Sequence, residues 1–284
     1  MHPSIDVAGI HFSYGKKKAV NGISFTVEPG EVLGFLGPNG AGKSTTIKML
    51  TGQLVSQAGT IRILGQTVRG HSAEVHARMG VCFEEKNLYL EMSADENLRF
   101  FASLFGIHKP DIQGLLDQVD LGPNRKDRVS TFSKGMRQRL MMARALINDP
   151  EVLFLDEPTD GLDPVSAKAI RDIIRTRAEG GAAVLLTTHD MSEADKLSDR
   201  VAFMNDGQIY AIDTPENLKL RHGSRSVNIR TRREGRVHEL HVAMDGETTG
   251  DALKKAVDGA EVITMHTEEA SLEDIFIAMT GRRL

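Results

Sequence analysis

The segment GPNGAGKST at 37–45 constrains this chain more than any other stretch. Its glycines permit backbone turns that let successive N–H groups converge on one anion. EVLGFL (31–36) precedes it, a near-continuous apolar run of the kind a central strand shows, and TTIKMLTG (45–52) follows it with helical character. Strand, glycine loop and helix in this order form a phosphate-binding loop, and the helix N-terminus adds its positive end. Lys43 is spaced to reach β- and γ-phosphates, and Ser44 to ligate Mg²⁺. The candidate cradle is therefore Gly37, Pro38, Asn39, Gly40, Ala41, Gly42, Lys43, Ser44 and Thr45. The competing reading, a tight glycine turn ahead of a helix, is outweighed by this context.

VLFLDEP (152–158) supplies the complementary half. Four apolar residues make a buried strand and set Asp156 and Glu157 at its carboxyl end, where open α/β sheets bind ligands. Asp156 is expected to hold Mg²⁺ through water, and Glu157 to act as the base that orients or deprotonates an attacking water. A phosphate loop paired with such carboxylates reads as a nucleoside triphosphatase. A guanine-specific enzyme is excluded on this reading, since no N-K-x-D segment occurs.

Composition narrows the remaining choices. The 284 residues allow one large domain, or one of about 200 residues plus a small appendage. A net charge of −4 speaks against nucleic-acid or membrane-surface binding. The single cysteine, Cys82, excludes an internal disulfide, reads as a small buried hydrophobe and fits a reducing, cytoplasmic setting. The start, MHPSIDVAGI, lacks a secretion-signal pattern, and no apolar run has the length of a membrane span.

Along the first 220 residues short β-rich runs alternate with helical patterns, which predicts an α/β domain around a largely parallel sheet. EVLGFL, VLFL (152–155) and AVLL (183–186) read as central parallel strands. ISFTVE (23–28), TIRIL (60–64), RVAFM (200–204) and QIYAI (208–212) read as antiparallel or edge strands. Ser93-Ala-Asp-Glu96 is a capping box ahead of an apolar helical face, and Asp163-Pro164 opens a helix running to about residue 178. Strand signals vanish between about 87 and 150, which marks a helical insertion. Residues 221–284 read as a separate small ββαβα unit; its arginines (Arg225, Arg230, Arg232, Arg233, Arg236) are balanced by acids and read as a solvated hairpin.

TFSKGMRQRLMMARAL (131–146) resembles the signature segment of ABC ATPases, usually LSGGQ followed by x-Q-R. The other parts stand in that family's order over about residues 5–220: GPNGAGKST, FSKGMRQR, VLFLDEP, TDGLD and TTHD. The resemblance implies a P-loop fold of ABC type, with a mixed sheet core, an antiparallel β subdomain, the helical insertion and the small α+β unit after it. It further implies that Tyr14, in HFSYG, stacks on adenine, and that Ser133 and Gly135 cap the γ-phosphate of ATP held by an opposite protomer. Asp163 resembles the end of the D-loop, and His189 the switch histidine that contacts the γ-phosphate. The implied assembly is a head-to-tail dimer, with a second identical ATPase subunit, sandwiching two Mg-ATP and driving separate integral-membrane permease subunits. Such a subunit would lie in the cytoplasm, held at the inner face of the membrane through the permease.

The chain departs from the family pattern at Lys134, where the usual signature has a glycine, and at Met136, where it has glutamine. Lys134 is expected to point to solvent, the alternative being an added charge near the phosphates. This signature, with a C-terminal unit ending SLEDIFIAMTGRRL, resembles export-type ATPase subunits. An importer's ATPase subunit, a soluble ABC ATPase acting on ribosomes or nucleic acid, and a non-hydrolysing nucleotide sensor are the rival readings. The stretch GVCFEEKNLY (80–89) aligns with the family's Q-loop and puts Glu84 at the glutamine position. Glu84 is then expected to contact Mg²⁺ and the attacking water, the alternative being a surface pair with Lys86.

Overall fold

The computed structural model describes residues 2–68, 72–83, 87–223, 225–233, 235–244 and 249–281. The chain begins as a hairpin of β1 (Ile5–Tyr14) and β2 (Lys17–Val27), turned at Gly15 with φ +58°. Then come β3 (Val32–Leu36), α1 (Lys43–Leu50), β4 (Ala58–Ile63), β5 (Gln66–Thr67), α2 (Ala73–His76) and β6 (Met79–Cys82). A helical stretch follows with α3 (Ala94–Leu104), α4 (Ile112–Gln118) and α5 (Lys134–Ala145). The chain returns to β7 (Val152–Asp156), α6 (Pro164–Glu179), β8 (Ala183–Thr188), α7 (Met191–Leu197), β9 (Arg200–Asn205) and β10 (Gln208–Asp213). Helix α8 (Pro215–His222), β11 (Arg225–Arg233), β12 (Arg236–Ala243), α9 (Thr249–Val257), β13 (Glu261–Glu269) and α10 (Leu272–Thr280) complete it.

The elements group into two compact units, Met1–Ile212 and Asp213–Arg283. In the first, an antiparallel sheet runs β2-β1-β4-β5, and a six-stranded sheet runs β10-β9-β3-β8-β7-β6. Strands β9, β3, β8, β7 and β6 pair in parallel. Strand β10 joins through a tight hairpin with Asp206 at φ +45° and Gly207 at φ +75°, the left-handed pair that two-residue hairpins need. RVAFM is thus not antiparallel to its inner neighbour: β9 lies parallel to β3, one strand in from the edge. The reason is burial. Val201–Asn205 are buried throughout, and a strand covered on both faces reads as a continuous apolar run.

Alternation along the buried strands sorts the core into two faces. Val152 and Phe154 of β7, Ala183 and Leu185 of β8, and Leu33 and Phe35 of β3 face one cluster, which includes α1 and the antiparallel sheet. Leu153, Leu155, Val184, Leu186 and Val32 face the other, which takes in α3, α4, α5 and α6. Phe25 of β2 meets Phe35 of β3 edge-to-face at 4.8 Å, tying the two sheets together. The helical stretch contains α3, α4 and α5, and Ser93 opens α3 with the expected capping box. Asp163 caps α6 and Pro164 is its first residue.

The second unit holds a three-stranded antiparallel sheet, β12-β11-β13, with the ββαβα order expected of its sequence. Helix α8, which the sequence boundary near 220 had assigned to the first domain, groups with this unit and lies against α10. Its buried apolar side chains are Leu218, Val227, Ile229, Leu272, Ile275 and Phe276.

Candidate active site

Strand parity fixes the first pair of functional side chains. Asp156 continues the Val152, Phe154 face of β7, and Thr187, its partner in register, continues the Ala183, Leu185 face of β8. Both therefore point toward α1. The Thr187 hydroxyl donates to Asp156 Oδ1 at 2.5 Å, and the Ser44 hydroxyl, in the first turn of α1, donates to the same oxygen at 3.1 Å. Asp156 is 3% exposed. Two hydroxyl donors on one oxygen thus hold this buried carboxylate in place.

The loop between β3 and α1 is a close fit to its surroundings. A side chain at Gly37 would run into Met204 O, and one at Gly42 into Ala19 O; Gly42 also has φ +107°, open only to glycine at little cost. Asn39 and Gly40 form the solvent-facing tip, while Ala41 and Gly42 are buried and Pro38 and Thr45 half-buried. Lys43 starts the helix, is 5% exposed, and turns back to donate to Gly37 O at 2.6 Å and Pro38 O at 3.4 Å. Its ammonium also lies 3.4 Å from Glu157 Oε1.

Glu157 has φ +50°, a conformation that costs a residue with a side chain about 1–3 kcal/mol. Two contacts hold it there: its N–H donates to Thr187 O at 3.1 Å and to Thr187 Oγ1 at 3.2 Å. The bend turns the carboxylate off the strand direction and sets it between Lys43 and His189. His189 Nδ1 lies 3.0 Å from Glu157 Oε2, whose oxygen also accepts from the His189 N–H at 3.4 Å. On its far side His189 Nε2 is 3.8 Å from Asp160 Oδ1, and Asp160 Oδ2 is 3.5 Å from Lys134 Nζ. A line of polar contacts thus runs Lys43, Glu157, His189, Asp160, Lys134. Lys134, half-exposed, is neither free in solvent nor among the residues at the phosphate loop; it pairs with Asp160 of its own chain.

Lys43, Ser44, Asp156, Glu157 and His189 are therefore brought together, as their motifs predicted. Ser133, Gly135 and Asp163 form a second group. Ser133 caps α5 by accepting from the Met136 N–H at 3.2 Å. Gly135 is buried so near α6 that a Cβ there would meet Ser166 Oγ at 2.6 Å and Asp163 Oδ2 at 3.6 Å. Hydrogen bonds from the Ser166 and Val165 N–H groups hold the Asp163 carboxyl below the usual carboxylate range. No hydrogen bond or ion pair among the described residues joins Ser133 or Gly135 to the Lys43 cluster. Tyr14 is half-exposed at the end of β1 and packs only edge-on against Phe12 at 4.9 Å. Glu84, with Glu85 and Lys86, lies outside the described residues.

Two residues of the site escaped the sequence reading. Thr187 and Asp160 both stand inside quoted motifs, TTHD and TDGLD, yet nothing local marks them; only strand register and loop path give them partners.

The donor set suits Mg²⁺. Ser44 and Asp156 offer a hydroxyl and a carboxylate oxygen 3.1 Å apart, hard oxygen donors of the kind Mg²⁺ takes while keeping waters and phosphate ligands. Among the described residues no cluster of three His, Cys, Asp or Glu could enclose a metal alone.

A second concavity, of about 630 Å³, opens beside β6 and α3. Its walls include Tyr89, Phe101, Leu104, Phe105 and Arg144. Tyr89, Leu104 and Phe105 are exposed, an apolar concentration uncommon on a free surface. Arg144 sits 4.8 Å over the Phe101 ring and donates to Asn87 O at 2.7 Å; burial lowers its pKa from the usual guanidinium value. Among the described residues no helix is long and apolar enough to cross a membrane.

Comparison with known proteins adds family relations to this geometry. A family profile described as ABC transporter matches residues 20–160. Over 283 residues the chain is 45% identical to a fluoroquinolones export ATP-binding protein of Mycobacterium tuberculosis (strain ATCC 25618 / H37Rv), covering 99% of this chain and 94% of the relative. It is 38% identical over 301 residues to the Nod factor export ATP-binding protein I of Rhizobium meliloti (strain 1021), covering 99% of this chain and 89% of that one. A solved structure of an ATP binding subunit of an ABC transporter matches with a TM-score of 0.69 at 28% identity, over 76% of this chain and 92% of the other. The ADP conformation of an ATP-binding cassette matches with a TM-score of 0.68 at 26% identity, over 76% and 93%.

Proposed function

The chain belongs to the ATP-binding subunits of ABC transporters, a family that hydrolyses ATP, and from that premise we propose how its residues divide the work. Two copies bind head to tail with an ATP in each interface. In each site Gly37–Thr45 wrap the phosphates with backbone N–H groups, and Lys43 leaves its own carbonyls and Glu157 to engage the β- and γ-phosphates. Ser44 and Asp156 hold Mg²⁺, which when bound offsets the negative charge on the phosphate oxygens. Tyr14 stacks on adenine. Ser133 and Gly135 present the N-terminus of α5 to the γ-phosphate in the partner's site, and Asp163 links that surface to α6.

Glu157 receives the proton of the attacking water or orients it, and His189 fixes the carboxylate while its other face reaches the γ-phosphate. Most of the acceleration comes from positioning and electrostatics rather than from a covalent intermediate. The placement of the Glu157 carboxylate between Lys43 and His189, at 3.4 and 3.0 Å, is the observation that carries this reading. Replacing Glu157 by Gln keeps the shape and removes the base. ATP turnover is expected to fall by about 10² or more, with ATP retained and the protein eluting as a dimer in its presence. Unchanged turnover would overturn the assignment.

Transport itself falls to separate membrane-spanning subunits, which engage the groove beside α3 and so hold this chain at the inner face of the membrane. The exposed aromatic lining supports this contact. Export is favoured over import because both curated relatives are export proteins. Their cargoes are chemically unlike, fluoroquinolones and Nod factor, which supports cargo recognition by the membrane subunits rather than by this chain. The second unit is an accessory domain.

A further inference from the structure

Helix α9 packs on the sheet of the second unit with Leu253, Ala256 and Val257 half-buried. It lies against β11 and β12, yet the residues it turns toward a cavity there are Ala252, Lys255 and Ala256, and none of its nine residues is buried. Beside the short alanine side chains opens a concavity of about 450 Å³, within the range of small-molecule sites.

Strand register decides what faces it. Thr231 pairs with His238 and Ile229 with Leu240, and Val227 pairs with Val242. These residues share the sheet face that α9 covers, and Leu240 and Val242 supply an apolar wall. Thr231 is 0% exposed, lines the cavity, and its hydroxyl has no hydrogen-bond partner among the described residues. Native proteins seldom leave such a group unsatisfied without a ligand or water to meet it. At the rim stand Arg233, whose guanidinium donates to Asp258 O at 2.6 Å just beyond α9, and Lys255. No acidic residue is among those that line the cavity, although the whole chain carries a charge of −4.

We propose that this cavity is a binding site for a small amphiphilic organic anion, its head between Lys255, Arg233 and the Thr231 hydroxyl and its apolar body against Leu240, Val242, Ala252 and Ala256. Cations at the rim select the charge, the orphan hydroxyl supplies a directed donor or acceptor, and the alanine face supplies the room. The site is separate from the nucleotide site in residues and chemistry, and it stands or falls independently of the ATPase assignment.

The test is a titration of octanoate into the full chain carrying ¹³C-methyl alanine, with Mg-ADP present to occupy the nucleotide loop. The Ala252 and Ala256 methyl signals are expected to shift and saturate at one octanoate per chain. Octanol at equal concentration should bind at least tenfold more weakly, and Lys255→Glu should weaken octanoate at least tenfold while leaving the circular dichroism spectrum unchanged. Thr231→Val should raise the melting temperature of the free chain, because an unsatisfied buried hydroxyl is removed, and yet weaken octanoate several-fold. Unsaturable shifts, equal binding of octanol, or octanoate affinity indifferent to both substitutions would overturn the proposal and leave the cavity a packing gap.

Discussion

At the scale of single residues the site rests on Thr187 as much as on the charged groups. Its hydroxyl donates to Asp156 and accepts from the N–H of Glu157, so one buried side chain positions both carboxylates and steadies the left-handed turn at 157. Thr187→Val preserves shape and leaves Asp156 Oδ1 and the Glu157 N–H each short of a partner. It is expected to lower stability by about 1–3 kcal/mol by urea denaturation and to slow turnover, with Thr187→Ser restoring most of both. Asp156 and Glu157 were legible because they are adjacent and end an apolar run. Thr187 was not, because a threonine at the end of a strand is ordinary until the register of β7 and β8 sets it opposite Asp156. Lys134 shows the same limit. Its departure from the signature pattern was visible, but its partner, Asp160, lies across a loop whose path requires Gly161 at φ +60°.

At the scale of elements the helical insertion is held by Asp95 in the first turn of α3. Asp95 is 4% exposed and accepts from Arg99 Nε at 2.7 Å and Arg125 Nε at 2.6 Å. Burial pushes its carboxyl up, but the hydrogen bonds and charges of the two arginines outweigh that, so its pKa ends below the ordinary carboxylate value. A lowered folded pKa means stabilisation that is complete above the unfolded value, near 3.9, and lost as pH falls through the folded one. Asp95→Asn is therefore expected to cost about 1–3 kcal/mol at pH 7 in urea melts, and the gap between variant and parent to narrow as pH falls below the unfolded value near 3.9. The groove beside α3 gives a second element-level test: Leu104→Glu, at an exposed position, should abolish recovery of the chain with membranes containing its permease and leave nucleotide affinity within about twofold. The capping box that starts α3 and the Asp163-Pro164 start of α6 could be read directly, since both depend on residues within one turn of each other. The parallel placement of β9 could not, because its pairing with β3 is set by a crossover that the local pattern does not contain.

At the scale of the molecule, composition and motif order foretold an α/β core with a small unit after it, yet the division falls at Ile212/Asp213 rather than near 220 because α8 finds its packing partner in α10, more than forty residues downstream. Ser133 and Gly135 sit by α6, in no hydrogen bond or ion pair with the Lys43 cluster among the described residues. Head-to-tail pairing predicts a complementation experiment. Ser133→Asp keeps a good helix cap and puts a negative charge where the partner's γ-phosphate would lie. Lys43→Ala disables the phosphate loop. Each variant alone should lose nearly all ATPase activity. Mixed in equal amounts, about half the dimers combine one of each, and in these one interface carries both lesions while the other carries neither. Activity should then return to about a quarter of the parent value, measured as phosphate release at fixed total protein. No recovery, with exchange of subunits verified by tag co-purification, would mean that each chain completes its own site and that the signature serves no partner.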